Sequence, residues 1–378
     1  MRKILLFTWI LFSILCASLT FAEVVPPPQL AVNAYLLKDF NSGSTIAAYK
    51  ENKRVEPASL TKIMTAYLTF EAIQQHHLKL DQTLPVSEKA WKAEGSKMFI
   101  EPKTPVTVDE LLHGLIIQSG NDAAITLAEN IAGSESQFAD LMNKKAASLG
   151  MKNTHFMNAT GLPDKDHYTT AYDLSILASA LIHDFPLEYK TLYSTKEYTY
   201  NKITQPNRNR LLWLDANVDG MKTGHTNTAG YCLIASAKRN ETRLVSVVLG
   251  AVSETSRAVE SQKLLNYGFQ YFETTQVYHP GQPISALHVW KGQEKTVNAT
   301  VATPVYFSLP KGDYAKVKAS MTTKQPLIAP IKTNQTIGKI TFKLDGKILA
   351  EHALVAANDI EVGNFFSRMI DNIKLMMQ

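Results

Sequence analysis

Three short motifs supply side chains that can act as a nucleophile, a base and an anion site. In the first motif, Ser59 and Lys62 lie three positions apart, so both side chains leave one face of a helix. A serine hydroxyl is a weak nucleophile unless a base accepts its proton, and a lysine with a lowered pKa is such a base. The free N–H groups at a helix start also favour the oxyanion that forms on attack. The spacing therefore predicts an activated serine with a lysine partner.

Two further motifs supply polar groups that such a reaction needs. Ser119 and Asn121 flank a glycine at a predicted break between helices, where a hydroxyl can relay a proton and an amide can hold a substrate peptide bond. Lys222 and Thr223 place a positive charge beside a hydroxyl, which suits a carboxylate. Gly224 lets a substrate backbone approach the edge of a sheet. We interpret both motifs as parts of a substrate site.

None of the three motifs is decisive alone. A Ser-x-x-Lys pattern arises by chance about once in a chain of this length, and a second copy, Ser308 to Lys311, contains a proline that interrupts a helix. The plain alternatives are an N-cap serine with a solvated lysine, and two ordinary turns. The order of the motifs, and their predicted places at a helix start, an interhelix turn and a strand start, favour one shared site.

The elements that must position these residues form a helical block between two groups of strands. Apolar and β-branched patterns predict strands over 32–37, 45–49, 229–237 and 243–249. Helical spacing and start signals, including a capping box at Thr107 to Glu110, predict helices over 59–75, 107–117, 122–131, 135–149, 171–182 and 254–272. Strands at both ends of a helical block predict an α+β domain whose sheet brings its termini together.

The chain changes character near Pro280. Short strands separated by turn residues predict a small all-β second domain over 280–361. Residues 362–378 are predicted to form an amphipathic helix with aromatic and aliphatic side chains on one face. This pattern fits a helix that lies in a membrane interface, and a helix packed on the second domain is the alternative.

Composition and the N-terminus indicate an exported globular protein. A chain of 378 residues with 45% hydrophobic residues suits two domains. Residues 1–22 are predicted to be a signal peptide, because Arg2 and Lys3 precede an apolar run too short to span a membrane, and Ala22 completes a cleavage pattern. The catalytic domain then covers 23–279. Loss of Arg2 and Lys3 lowers the net charge from +5 to +3, which gives no case for nucleic-acid binding.

Cysteine and histidine usage points away from disulfides and metals. Cys16 lies in the predicted signal peptide, so Cys232 remains as a single thiol, predicted to be buried in an apolar strand. No Cys or His cluster in the sequence has the spacing of a metal site. We therefore predict neither a metal nor another cofactor.

The three motifs, in this order, resemble the active-serine set of penicillin-binding proteins and class A β-lactamases. Longer stretches are similar to the D-alanyl-D-alanine carboxypeptidases of the penicillin-binding protein 5/6 type, namely 57–65, 161–162, 167–171, 205–209 and 218–226. The similarity runs from about residue 30 to the C-terminus. It implies a β-lactamase/transpeptidase-like catalytic domain that hydrolyses the terminal D-Ala–D-Ala bond of peptidoglycan pentapeptides.

The resemblance also implies residue roles. It makes Ser59 the acyl-ester nucleophile and Lys62 its proton acceptor. Ser119 would assist proton transfer, Asn121 would hold the substrate peptide, and Lys222 would hold the substrate carboxylate.

Three more positions concern the same site. The oxyanion hole would combine the backbone N–H groups of Ser59 and His225. Arg257 resembles a family arginine near the carboxylate, although a solvated helix arginine is the plain interpretation. Arg210 departs from the small residue that family members often carry, which bears on substrate preference.

The resemblance implies that the ligands are peptidoglycan peptides and β-lactam antibiotics. It also implies a periplasmic enzyme that is held on the outer face of the inner membrane by its C-terminal helix.

Three alternatives stay open. A β-lactamase of class A would need a glutamate, and no Glu-x-x-x-Asn occurs between Asn121 and Lys222. A D,D-endopeptidase would use the same site on crosslinks, and a penicillin-binding scaffold would shape the wall with little catalysis.

Overall fold

The first domain is an antiparallel sheet enclosed by helices. The structure is a computed structural model that describes residues 25–377. The strands of this domain are β1 (Ala34–Asp39), β2 (Thr45–Tyr49), β3 (Thr83–Leu84), β4 (Val106–Thr107), β5 (Glu197–Tyr200), β6 (Ile203–Pro206), β7 (Val218–Thr226), β8 (Gly230–Arg239) and β9 (Thr242–Ala251). Its helices are α1 (Lys62–Gln74), α2 (Glu88–Trp91), α3 (Val108–His113), α4 (Asn121–Ala132), α5 (Glu135–Leu149), α6 (Ala171–Asp184), α7 (Pro186–Glu188), α8 (Leu211–Leu214) and α9 (Glu254–Tyr271).

Five strands form the central sheet in the order β2-β1-β9-β8-β7. The N-terminal strand β1 pairs with β9, from Ala34 opposite Leu249 to Asp39 opposite Leu244. This pairing confirms that the sheet joins the two ends of an α+β domain. Successive residues of a strand face opposite sides, so Leu36 packs in the core beneath the helical block, whereas Leu37 packs in the core under α9.

Local signals set the helix ends. Thr107 and Glu110 form the predicted capping box, in which the Thr107 hydroxyl accepts from the Glu110 N–H and the Glu110 carboxylate accepts from the Thr107 N–H. Helix α4 ends at Gly133, whose φ of 81° is left-handed.

Cys232 is buried in β8, as predicted, and burial raises the pKa of its thiol to about 11.

The second domain is all-β. Its strands are β10 (Phe272–Tyr278), β11 (Ser285–Trp290), β12 (Thr296–Thr300), β13 (Val305–Pro310), β14 (Lys318–Thr323), β15 (Leu327–Ile328), β16 (Thr336–Leu344) and β17 (Lys347–Ala356). Six of them form one sheet, and β10 pairs with β13 in a second. Because β10 follows α9 directly, the strands of this domain begin before residue 280, at which the sequence pattern places its start. Apolar side chains from both sheets share one core.

A C-terminal helix, α10 (Phe365–Met376), packs on the second domain through its polar face. The buried Asp371 carboxylate accepts from the Lys291 N–H at 2.7 Å and pairs with Lys295 Nζ at 3.0 Å. The opposite, apolar face is exposed, with Phe365 at 71% and Met376 at 87%. Among the described residues, no helix combines the length and apolar content that a bilayer crossing requires. The predicted signal peptide, 1–22, lies outside the described residues.

Candidate active site

The predicted nucleophile lies in a tight turn ahead of α1. Residues Ala58–Thr61 form a single 3₁₀ turn, where the sequence predicts the start of an α-helix. Ala58, directly before Ser59, has a φ of 48°, a conformation that costs a residue with a Cβ free energy and that persists only where the surroundings enforce it. The backbone is therefore held in place by packing from outside the turn.

Two glycines from distant parts of the chain provide that packing. Gly161, with a φ of 84°, lies so close that a Cβ there would overlap the carbonyl oxygen of Ala58. On the other side, a Cβ at Gly224 would lie 3.2 Å from the carbonyl oxygen of Pro57 and from Leu60 Cγ. The sequence explains Gly224 by a close substrate, whereas in the structure the close neighbour is the protein's own nucleophile turn. Both glycines fix the position of Ser59.

Lys62 sits at the centre of a hydrogen-bond network. Its Nζ lies 3.1 Å from Ser59 Oγ, 2.6 Å from Asn121 Oδ1 and 2.6 Å from the carbonyl oxygen of Thr160. The amide and peptide oxygens only accept hydrogen bonds. A neutral amine has two N–H groups and one lone pair, so these two oxygens take both N–H groups. The lone pair is then left for the Ser59 hydroxyl proton, which is the geometry of a base and its nucleophile.

The electrostatic surroundings favour the neutral amine. Lys62 is buried, and this burial, followed by the positive charge of Arg208, lowers its pKa to about 7, against the opposing carboxylates of Asp122 and Glu135. At neutral pH a substantial fraction of Lys62 can therefore accept a proton.

Ser119 and Asn121 lie where α3 gives way to α4. Residues Gly114–Gln118 form a short π-helix, and Ser119 follows with a left-handed φ of 64°. The buried Ser119 Oγ has no hydrogen-bond partner within the described range 25–377, so its hydroxyl is available to a ligand or a proton in transit. Asn121 accepts from Lys62 and donates through Nδ2 to the carbonyl oxygen of Glu94 at 2.6 Å. One amide N–H of Asn121 remains.

The Lys222-Thr223-Gly224 motif lies on β7, the edge strand of the central sheet. Lys222 is buried, and its Nζ donates to the carbonyl oxygen of Thr223 at 3.2 Å. Burial first, and then the positive charges of Lys62, Arg208 and Arg257, lower the pKa of Lys222 well below its ordinary value. No ion pair involves Lys222 in the part of the chain that the structure describes. An incoming carboxylate would supply the opposite charge that is missing here.

Arg257 reaches the same place from α9. It is buried, at 4% exposure, and its guanidinium donates to the carbonyl oxygens of Gly224 and Arg208, each at 3.4 Å. It also pairs with Glu254 at 2.9 Å. The structure therefore favours the placement near a carboxylate over that of a solvated helix arginine.

A cavity of about 370 Å³ brings most of these residues together. It is lined by Ser59, Ser119, Thr223, Gly224, His225 and Arg257, and also by Gly95, Ser96 and Arg208. Lys62, Asn121 and Lys222 are buried beside the lining residues that they contact or adjoin. Arg210 does not line this cavity. Sequence reasoning assigns no role to Gly95, Ser96 or Arg208, although Arg208 belongs to the family-like stretch 205–209.

The fold and this geometry define an active-serine enzyme, and comparison with known proteins agrees. The family model described as D-alanyl-D-alanine carboxypeptidase matches residues 21–253. A second, described as penicillin-binding protein 5, C-terminal domain, matches residues 272–362.

Individual relatives match over most of the chain. D-alanyl-D-alanine carboxypeptidase DacC of Escherichia coli (strain K12) is 42% identical over 374 residues, covering 96% of this chain and 93% of the relative. Penicillin binding protein 5 from Haemophilus influenzae superposes with a TM-score of 0.85 at 42% identity, covering 89% of this chain and 99% of that one. Penicillin-binding protein D2 from Listeria monocytogenes, in its ampicillin-bound form, gives 0.60 at 33% identity, covering 65% and 100%.

The chain belongs to the D-alanyl-D-alanine carboxypeptidase family, in its penicillin-binding protein 5/6 type, and is a serine-type carboxypeptidase. The matches span both domains, which confirms the family that the motifs resemble and disfavours the β-lactamase alternative.

Proposed function

We propose that the protein removes the terminal D-alanine from peptidoglycan pentapeptides through an acyl-ester on Ser59. The observation that carries this proposal is the set of three contacts around Lys62 Nζ. Two acceptor-only oxygens occupy the N–H groups of the neutral amine and direct its lone pair at the Ser59 hydroxyl. Lys62 takes the Ser59 proton as the hydroxyl oxygen attacks the carbonyl carbon of the penultimate D-alanine.

The substrate carboxylate binds at the cationic end of the cavity. Lys222, Thr223 and Arg257 provide two cations and a hydroxyl there, and the need of buried Lys222 for an opposite charge supports this placement. The backbone N–H groups of Ser59 and His225 stabilise the oxyanion. His225 lies on the exposed edge strand, where its N–H can reach a bound carbonyl oxygen.

Ser119 and Asn121 complete the mechanism. Ser119 passes the proton from Lys62 to the leaving nitrogen, a role that its unpartnered buried hydroxyl supports. Asn121 orients Lys62 through Oδ1 and offers its remaining amide N–H to the substrate peptide carbonyl. Water then hydrolyses the ester and releases the shortened peptide.

A labelling experiment tests the nucleophile. A fluorescent penicillin should acylate Ser59, identified by peptide mapping, and a Ser59→Ala variant should not be labelled. Ser308→Ala is the matched control, because Ser308 begins the second Ser-x-x-Lys copy but lies in β13 with its Oγ inaccessible to solvent. Purified enzyme should release D-alanine from a pentapeptide. Rapid turnover of benzylpenicillin would instead support a β-lactamase, and full restoration of cell shape by Ser59→Ala would support a scaffold.

We also propose that residues 1–22 direct export and that α10 holds the protein on the outer face of the inner membrane. The apolar face of α10 is exposed while Asp371 fastens its polar face to the second domain, which suits binding in a membrane interface. Deleting residues 362–378 should move the protein from the membrane fraction to the soluble periplasm. Phe366→Ser should weaken sedimentation with membranes, whereas Ile348→Ser, at a comparably exposed apolar site on β17, should not. Unchanged sedimentation of the deletion would refute the anchor.

A further inference from the structure

The two N–H groups of the proposed oxyanion hole come from segments that are far apart in sequence. Ser59 lies in the 3₁₀ turn ahead of α1, whereas His225 lies near the end of β7. A donor in an oxyanion hole lies about 2.7–3.1 Å from the oxygen on which charge develops. The separation of the two segments therefore has to be held closely. The contacts of Gly224 limit how near the segments approach, but steric contact alone does not stop them from moving apart.

The carboxylate of Glu56 joins these two segments by hydrogen bonds. Its Oε2 atom accepts from Thr226 Oγ1 at 3.0 Å and also from Thr228 Oγ1. In the part of the chain that the structure describes, no other hydrogen bond connects residues 55–62 with residues 218–230. Glu56 is therefore the polar link between the nucleophile turn and β7.

This link lies next to both halves of the hole. Glu56 is three residues before Ser59, and Thr226 directly follows His225. A shift of either end would therefore pass along a few bonds to one of the two N–H groups. The distance between these groups depends on how closely Glu56 holds Thr226.

Both ends of the link are anchored to the fold. Val55, directly before Glu56, pairs with Thr169 through two backbone hydrogen bonds of 2.9 Å. At the other end, Thr226 Oγ1 accepts from the Ala229 N–H at 2.9 Å, which holds the hydroxyl in the turn after β7. The single proton of this hydroxyl is then directed at Glu56. The carboxylate therefore connects two segments whose positions are already set.

Glu56 does not reach the substrate. It is half-buried and does not line the catalytic cavity. Among the described residues, no lysine or arginine forms an ion pair with it. Its two hydroxyl partners thus account for its position, and hydrogen bonds to a charged acceptor are stronger than those between neutral groups.

We propose that Glu56 is a positioning residue that sets the separation of the two N–H groups of the oxyanion hole. This inference rests on the proposed function, because it takes Ser59 and His225 as the donors of the hole. The carboxylate draws β7 towards the nucleophile turn, while the contacts of Gly224 resist closer approach, so that one distance results. Without the carboxylate, β7 can move away and the oxyanion receives weaker hydrogen bonds.

Infrared difference spectroscopy of the penicillin acyl-enzyme tests this proposal on the full-length protein. The ester carbonyl on Ser59 lies in the oxyanion hole, and its stretching frequency rises when the hydrogen bonds to it weaken. With benzylpenicillin that is isotope-labelled at the β-lactam carbonyl carbon, Glu56→Ala should move the ester band to higher wavenumber than in the wild type. A general loss of stability would not move the band of the folded acyl-enzyme.

The same variant should lower the second-order rate constant of acylation by about ten-fold, because complete removal of one oxyanion-hole donor costs on the order of 10²–10³-fold and a displaced donor costs less. Glu56→Gln should restore most of the rate, since its side-chain oxygen still accepts from the hydroxyls. Thr228→Val removes one exposed hydroxyl and should slow acylation in the same direction. Combined with Glu56→Ala, it should cause no further loss.

Glu51→Ala is the matched control, because Glu51 is also half-buried, but its carboxylate accepts from the neighbouring Asn52 and not from the turn after β7. It should change neither the band nor the rate. An ester band that stays at the wild-type position in Glu56→Ala would overturn the proposal, and so would a Glu56→Gln variant as slow as Glu56→Ala. If benzylpenicillin did not acylate Ser59 in the wild type, the proposed function itself would fail, and this inference with it.

Discussion

The rate at which a penicillin acylates Ser59 should follow the deprotonation of Lys62. The second-order rate constant reports the ionisation of the free enzyme. Because burial and the charge of Arg208 lower the pKa of Lys62 to about 7, this rate constant should rise between pH 6 and pH 8 and then level off, with its midpoint near 7.

The size of the effect follows from the fraction of neutral amine. At pH 7, a lysine with its ordinary pKa of about 10.4 is neutral in about one molecule in 2,500, whereas one with a pKa near 7 is neutral in about half. The environment of Lys62 thus raises the reactive population about a thousand-fold, which corresponds to roughly 4–5 kcal/mol. The Lys62 side chain is fully buried, so solvent screening does not reduce this estimate appreciably.

Stopped-flow measurement with a fluorescent penicillin from pH 5.5 to 9.5 tests this prediction, and Ser59→Ala defines the background. Arg208→Gln removes the second-largest cause of the shift, so its midpoint should move to higher pH. A rate constant that does not vary over this range would contradict Lys62 as the base, and a midpoint above pH 9 would contradict its lowered pKa. A midpoint in Arg208→Gln at lower pH than in the wild type would contradict the electrostatic explanation.

Three other perturbations have defined outcomes. Gly161→Ala, whose Cβ would overlap the Ala58 carbonyl, should lower the free energy of unfolding by about 2 kcal/mol or more and slow acylation. Gly43→Ala is the control, because Gly43 also has a left-handed φ but lies in open space, so this variant should lose less stability. Urea unfolding and penicillin labelling rates measure both variants. Asp371→Ala should speed tryptic cleavage at Arg368, because α10 loses its contacts to Lys291 and Lys295; unchanged cleavage would mean that other contacts hold the helix. The free energy of unfolding of the wild type should rise between pH 7 and pH 10, because in this range the unfolded Lys62 binds a proton that the folded one does not. Lys62→Met should flatten this rise. Urea unfolding at pH 7 and pH 10 measures it, and an unchanged slope would contradict the lowered pKa.

The sequence predicts much of the fold because local signals and global packing agree. The capping box at Thr107, the glycine at 133 and the apolar strands 229–237 and 243–249 each appear in the structure within a few residues. The predicted catalytic residues also converge, since Lys62 contacts Ser59 and Asn121 directly. The three-residue spacing was sufficient for the first contact, although Ser59 lies in a 3₁₀ turn and Lys62 begins α1, and the family resemblance supplied the second.

Other features depend on contacts that no local pattern encodes. The left-handed φ of Ala58 is enforced by Gly161 and Gly224, which are remote in sequence. The short π-helix at Gly114–Gln118 has no clear sequence signature. Arg208 lies in a recognisable stretch, but only the folded chain shows that it lines the catalytic cavity. Amphipathicity alone likewise does not show which face of α10 contacts the second domain. The folded chain shows that the polar face does so, through Asp371.

The two glycines that hold the nucleophile turn have a consequence for how the enzyme acquires its activity. Gly161 precedes α6, and Gly224 lies on β7, which pairs with β8 alone among the described strands. A nascent or refolding chain that has formed α1 but not this edge strand has nothing to keep Ala58 in its unfavourable conformation. The reactive serine therefore arises late, when the sheet is complete. Partly folded chains should be chemically inert towards penicillins, and the recovery of labelling during refolding should report the final packing step of the domain.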